Sequence, residues 1–185
     1  MVNVFIFHGT YGYPCENWFP WLKEKLEELG HIVFVPHFPA PPNHNLNNWM
    51  KVFEGYQHYI DENTIFVGHS LGCGFILDML ETLNQSIKCS FLVAGFLKKF
   101  NKPEFVELNK TFVDKDFKWN KIKQNCGKFF VFNSDDDPNV PLEKGKELAE
   151  KLNVELILVP NAGHFNTKAG YTKFDLLLEE IKEIL

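Results

Sequence analysis

The sequence predicts an α/β protein: a doubly wound, mostly parallel six-stranded sheet with helices on both faces. Three observations carry that expectation. Short apolar runs recur along the chain, each ended by Gly, Pro, Asn or His and each followed by a longer stretch at helical period. The runs are near-continuous in hydrophobicity and rich in β-branched and aromatic residues, which suits strands covered on both faces. Strand-like and helix-like stretches alternate at crossover spacing, as a parallel sheet requires.

The runs are Val2 to Phe7, Ile32 to Val35, Thr64 to Val67, Phe91 to Ala94, Phe129 to Phe132 and Val154 to Val159. After the first, Asn17 is placed to cap a helix through Trp21, Leu22, Leu26 and Leu29, with Gly30 ending it in the left-handed conformation. A second helix is expected from about Leu46 to Ile60. A third follows from Ser70 to about Leu83, where Leu71, Phe75, Ile76, Met79, Leu80 and Leu83 form one apolar stripe. The segment from Phe96 to Lys128 exceeds a simple crossover. Its Phe105, Leu108, Phe112, Phe117, Trp119 and Ile122 fall at loosely helical spacing, so it reads as a small flap. Pro141 suits the first turn of a helix to Leu152, and Phe174, Leu177, Leu178, Ile181 and Leu185 stripe a last one.

Composition narrows the function classes. A chain of 185 residues, 45% hydrophobic, is long enough for one well-formed core, so a single domain over 1–185 is expected. Lys and Arg number 19 against 24 Asp and Glu, a net charge of −5 with no basic block, so nucleic acid is not an expected partner. The longest apolar run, Phe91 to Leu97, is far short of the roughly 18 residues of a membrane helix. The first residues lack the basic region and cleavage site of a secretory signal, so a cytoplasmic location is expected. Cys15, Cys73, Cys89 and Cys126 lie far apart and read as free thiols. His31, His37, His44 and His58 are not spaced as a metal site, and neither metal nor organic cofactor is expected.

In a doubly wound sheet, ligands bind beyond the carboxyl ends of the strands, so functional residues should follow the apolar runs directly. The strongest such signal is Gly68-His69-Ser70-Leu71-Gly72, a Gly-x-Ser-x-Gly sequence between a strand and a helix. That context is what a nucleophile elbow needs, a turn sharp enough to strain Ser70 and tight enough to exclude side chains at positions 68 and 72. A serine hydroxyl is a weak nucleophile at neutral pH and needs a base and a group that orients the base. His164 follows the last strand and is the expected base. The acid is expected after the preceding strand, where Asp135, Asp136 and Asp137 stand in a row. Their spacing is not that of a calcium loop. Asp137 leads, because Pro138 fixes the turn behind it and Val140 anchors that turn. Asp136 is second, and the remaining carboxylates would cap backbone amides.

An oxyanion hole requires two backbone amides, expected from Leu71 and from the loop after the first strand. Thr10 is the leading donor there, with Tyr11 and Gly12 as alternatives. Tyr11, Trp18, Phe96 and Phe165 are the candidate lining of a substrate pocket. His69 is expected to turn away from the cleft and give packing or hydrogen-bonding support, and His8 to support the oxyanion loop, while Cys73 reads as a small buried hydrophobe.

The elbow, the stretch Ser134-Asp135-Asp136-Asp137-Pro138 with Val140-Pro141 behind it, Gly163-His164-Phe165, and Trp18 to Leu22 together resemble the small α/β-hydrolases of the YdeN and retinoblastoma-binding protein 9 group. The likeness spans nearly the whole chain. It implies a compact α/β-hydrolase core without the first two strands of the larger fold, a triad of Ser70, Asp137 and His164, and serine hydrolase activity. The Leu-x-Cys-x-Glu motif associated with retinoblastoma binding is absent, since Leu71-Gly72-Cys73-Gly74 continues with Phe75, so that partner is not carried over. The expected activity is cleavage of a small-molecule carboxylic ester through an acyl-Ser70 intermediate, with thioesterase and peptidase as alternatives that would use the same parts. The rival expectation is a hydrolase scaffold that works by binding a protein partner.

Overall fold

The computed structural model describes residues 1–98 and 103–185. Six strands form one wholly parallel sheet: β1 (Asn3–Phe7), β2 (Ile32–Phe34), β3 (Ile65–His69), β4 (Cys89–Val93), β5 (Phe129–Asn133) and β6 (Leu156–Leu158), in the order β2-β1-β3-β4-β5-β6. Parallel neighbours need crossovers. These contain α1 (Phe19–Glu28), α2 (Leu46–Glu54), α3 (Leu71–Thr82), α4 (Pro103–Val113), α5 (Trp119–Gln124) and α6 (Leu142–Leu152), and α7 (Asp175–Lys182) follows the sheet.

Residues alternate in side along each strand, and both sides are covered. Phe5, Phe7, Phe66, Leu92 and Val131 pack with residues of α2, α3, α4, α5 and α6. Val4, Ile6, Val67, Phe91 and Phe132 pack with Phe19, Leu22 and Leu26 of α1 and with Leu177 and Ile181 of α7. This two-sided burial is why the strands read as continuous apolar runs. Among the described residues no helix is long and apolar enough to cross a membrane.

The boundaries depart from the sequence reading where local hydrogen bonding intervenes. Asn17 does not cap α1. It lies at φ 52° and its side chain bonds Thr167, while Trp18 holds the cap position and Pro20 sets the first turn. The second helix stops at Glu54, before Gly55, and a separate turn of 3-10 helix covers Gln57–Tyr59. β6 begins two residues later than Val154, because the Val154 amide is spent on the Ala149 carbonyl at the end of α6. β4 begins earlier, at Cys89, and Ala94 turns out of it at φ 51°. The expected flap holds α4 and α5; its residues 99–102 lie outside the described residues.

The strand order reverses between β1 and β3, the switch point at which an open sheet leaves a crevice beyond its carboxyl ends. Thr10 follows the first of these strands and Ser70 the second.

Candidate active site

Ser70 occupies a turn of φ 55° and ψ −118° between β3 and α3. That backbone costs on the order of 1–3 kcal/mol and persists because its surroundings allow nothing else. A Cβ on Gly72 would stand 2.3 Å from the Phe7 carbonyl oxygen, and one on Gly68 would meet the Gly72 carbonyl carbon and the Cys73 amide nitrogen at 2.9 Å. Both positions require glycine because β1, β3 and α3 approach each other there. Leu71 opens α3, where backbone amides lack intrahelical acceptors and the helix dipole is positive.

His164 lies in a loop with an unusual backbone: Asn161, Gly163 and Phe165 all have positive φ, at 55°, 53° and 48°. The amides of Asn161, Ala162 and Gly163 donate to Asp135 Oδ1 at 2.9 Å, Ser134 Oγ at 2.9 Å and Asp136 Oδ1 at 2.7 Å. These bonds hold the loop, and the Ser134 hydroxyl and Gly163 amide hold the Asp136 carboxyl below its ordinary range. Asp137 has another task. Its Oδ1 accepts from the amides of Asn139 and Val140 at 2.7 and 3.0 Å, and its Oδ2 accepts from His164 Nδ1 at 2.8 Å. Of the three carboxylates, Asp137 is the one bonded to the His164 ring. With Nδ1 donating, Nε2 carries the imidazole lone pair.

Ser70, His69 and His164 border one cleft of about 420 Å³. Thr10 and Tyr11 border it from the turn after β1, which closes with the Gly12 amide donating to the Gly9 carbonyl at 3.0 Å. That bond occupies the Gly12 amide, so Gly12 is removed as an oxyanion donor. The crossover contributes Phe96, Phe105 and Asn109, and Val140 stands beside the Asp137 turn. Glu16, Asn17, Thr167 and Lys168 give the cleft a polar part of its lining.

Two expected pocket residues are corrected. Trp18 and Phe165 are fully buried on the α1 and α7 side of the sheet and do not line the cleft. They act one layer behind it: Trp18 Nε1–H donates to the Phe165 carbonyl at 3.0 Å, and the Phe165 ring packs on Tyr171 and Phe174. Tyr11 and Phe96 do line the cleft. His69 does not simply turn away, since it borders the cleft and its Nε2–H donates to the His164 carbonyl at 2.8 Å. Burial pushes its pKa down to about 3, which keeps the ring neutral. His8, lowered to about 4 by burial, accepts the Phe38 amide on Nε2 at 3.1 Å. Cys73 is fully buried, with its thiol pushed up by burial.

Sequence reasoning missed Glu16 and Asn109. Burial raises the Glu16 carboxyl to about 7, against the opposing Tyr13 amide and the nearby His164. Neither residue belongs to a motif. Among the described residues no group of three or more His, Cys, Asp or Glu is disposed to hold a metal ion.

Residues 4–183 match the family model described as Serine hydrolase. The chain is 33% identical over 179 residues to the ydeN gene product of Bacillus subtilis (strain 168), covering 96% of this chain and 93% of that one. It is 28% identical over 170 residues to the serine hydrolase RBBP9 of Rattus norvegicus, covering 91% and 87%. The crystal structure of the Bacillus subtilis ydeN product superposes with a TM-score of 0.92 at 32% identity, covering 100% of this chain and 98% of that one.

Proposed function

The chain belongs to the serine hydrolase family, and from that premise we propose that it cleaves a carboxylic ester of small or medium acyl length through a covalent acyl-Ser70 intermediate. His164 Nε2 takes the Ser70 proton as the hydroxyl oxygen attacks the ester carbonyl. Asp137 holds the imidazole in the tautomer that leaves Nε2 basic and steadies the imidazolium that forms. The amides of Leu71 and Thr10 stabilise the oxyanion. When the tetrahedral intermediate collapses, the alcohol departs with the proton from His164. Water then repeats the sequence on the acyl-enzyme, releasing the acid and restoring Ser70.

The observation that carries this reading is the 2.8 Å bond from His164 Nδ1 to Asp137 Oδ2, beside the cleft that Ser70 shares. A cleft of about 420 Å³ falls within the usual range for small-molecule sites, and Phe96, Phe105 and Val140 offer an apolar wall for an acyl chain.

The test is turnover of p-nitrophenyl esters of increasing acyl length, combined with fluorophosphonate labelling. Ser70→Ala is expected to abolish labelling and to lower kcat by about 10⁵-fold or more, with His164→Ala close behind. Labelling that survives Ser70→Ala overturns the nucleophile assignment. Wild-type ester turnover that is absent, or that does not depend on His164, favours the binding-scaffold reading.

A further inference from the structure

The crossover between β4 and β5 reaches beyond the wall of the cleft. Asn109, in the second half of α4, is buried and borders the cleft. Its Oδ1 accepts the Thr10 hydroxyl at 2.8 Å and His44 Nε2–H at 3.1 Å. The three residues come from the loop after β1, the loop before α2 and α4 itself. Two donors on one amide oxygen fix the rotamer of the threonine, the tautomer of the histidine and the orientation of the amide together. His44 is held neutral, because burial lowers its pKa, so its single ring proton is available for this bond. A second tie between the same segments joins the Leu46 amide to Thr111 Oγ1 at 3.0 Å, two residues beyond Asn109.

Thr10 is the second residue of the Gly9–Gly12 turn, and the third, Tyr11, lies at φ 59°. The direction of the Thr10 amide follows the orientation of that turn, and the Thr10 side chain is the handle by which another element sets it. On the serine hydrolase reading above, we propose that Asn109 is a positioning residue for the oxyanion hole: through the Thr10 hydroxyl, and braced by His44, it holds the turn after β1 so that the Thr10 amide faces the oxyanion. The hole is then complete only with α4 docked. Since α4 also supplies Phe105 to the apolar wall, one helix both receives the acyl chain and sets the donor that stabilises its transition state. Acyl groups that displace α4 lose kcat before they lose affinity.

The experiment compares wild type with Asn109→Leu, Asn109→Asp and Thr10→Val in ester turnover, each normalised to sites titrated with a fluorophosphonate. Titration separates a slower site from a smaller folded fraction. Asn109→Leu is expected to lower kcat per titrated site by about 10- to 100-fold with KM within about 3-fold, the signature of a displaced transition-state donor. Thr10→Val should match it, and the double variant should be no worse than either single one. Asn109→Asp keeps an acceptor for both donors and should restore kcat to within about 5-fold of wild type. A kcat per site in Asn109→Leu within about 2-fold of wild type overturns the proposal. So does an Asn109→Asp as slow as Asn109→Leu, or losses in Asn109→Leu and Thr10→Val that multiply. Failure of the underlying hydrolase reading looks different, because the wild type itself then shows no His164-dependent turnover.

Discussion

The elbow and the crossover meet at one side of the cleft and are built on opposite terms. From β3 through Ser70 into α3, position is enforced by backbone against backbone. Glycines at 68 and 72 let main chains approach to distances that admit no Cβ, and the Ser70 amide itself bonds the Val93 carbonyl at 2.8 Å. The crossover is fastened by side chains. Asn109 reaches Thr10 across 99 positions, Lys115 pairs with Asp78 across 37, and Asn125 Nδ2 donates to the carbonyls of Leu80 and Leu83 at 2.8 and 2.7 Å, finishing α3 from outside. Geometry of the first kind tolerates no substitution and needs no partner. Geometry of the second kind can be altered one bond at a time.

The difference predicts a sharp contrast in cost. Gly72→Ala places a methyl group 2.3 Å from the Phe7 carbonyl oxygen, where neither β1 nor α3 can yield without moving the sheet. We expect a loss of about 5 kcal/mol or more, with turnover lost alongside, read by urea unfolding and ester assay. A variant within 1 kcal/mol of wild type, on that estimate, would mean that the elbow is not held by close approach. Phe112→Ala tests the crossover. Phe112 is fully buried and packs against Trp49, His44 and Phe75, so its removal should cost about 3 to 5 kcal/mol. Its effect on the site should fall on kcat, as with Asn109, and should leave fluorophosphonate labelling of the folded fraction intact.

The same contrast explains what the sequence disclosed. The strands were legible because both faces of the sheet are covered, and the elbow because its signature lies within two residues of Ser70, although the groups that demand it, the carbonyls of Phe7 and Val93, are remote in sequence. The run of three carboxylates was legible as a set: two cap the His164 loop and the third bonds the imidazole. Asn109 was not, since an Asn on an apolar-striped helix has the same local signature whether it faces solvent or accepts two buried donors. Trp18 and Phe165 were misplaced for a related reason. Proximity in sequence to the first strand and to His164 put them near the cleft, but which side of the sheet an aromatic takes is decided by α1 and α7, through the bond from Trp18 to the Phe165 carbonyl. Asn17 resembled a helix cap, yet its oxygen serves Thr167, 150 positions away.

The smallest expected effect lies at the joint where the two regions meet. Asp78 on α3 is 3% exposed, pairs with Lys115 in the crossover, and has a second oxygen, Oδ2, with no hydrogen-bond partner among the described residues. Burial raises its carboxyl from the ordinary 3.8 to about 7, with Lys115 opposing and Glu81 on the same helix adding to the rise. Between those two values the folded chain keeps a proton that the unfolded chain has released, so this group stabilises the fold fully below pH 3.8 and loses its contribution as pH rises through about 7. Asp78→Asn removes the titration while keeping the shape. Unfolding by urea at pH 5 and pH 8 should show the variant gaining on wild type by about 2 to 4 kcal/mol from the lower pH to the higher, part of the wild-type contribution being already lost at pH 5. Glu16, His8 and His69 titrate in both proteins and cancel in the difference. A difference that stays constant, or that shrinks as pH rises, would show that Asp78 is charged throughout and that the crossover is held to α3 by a full ion pair.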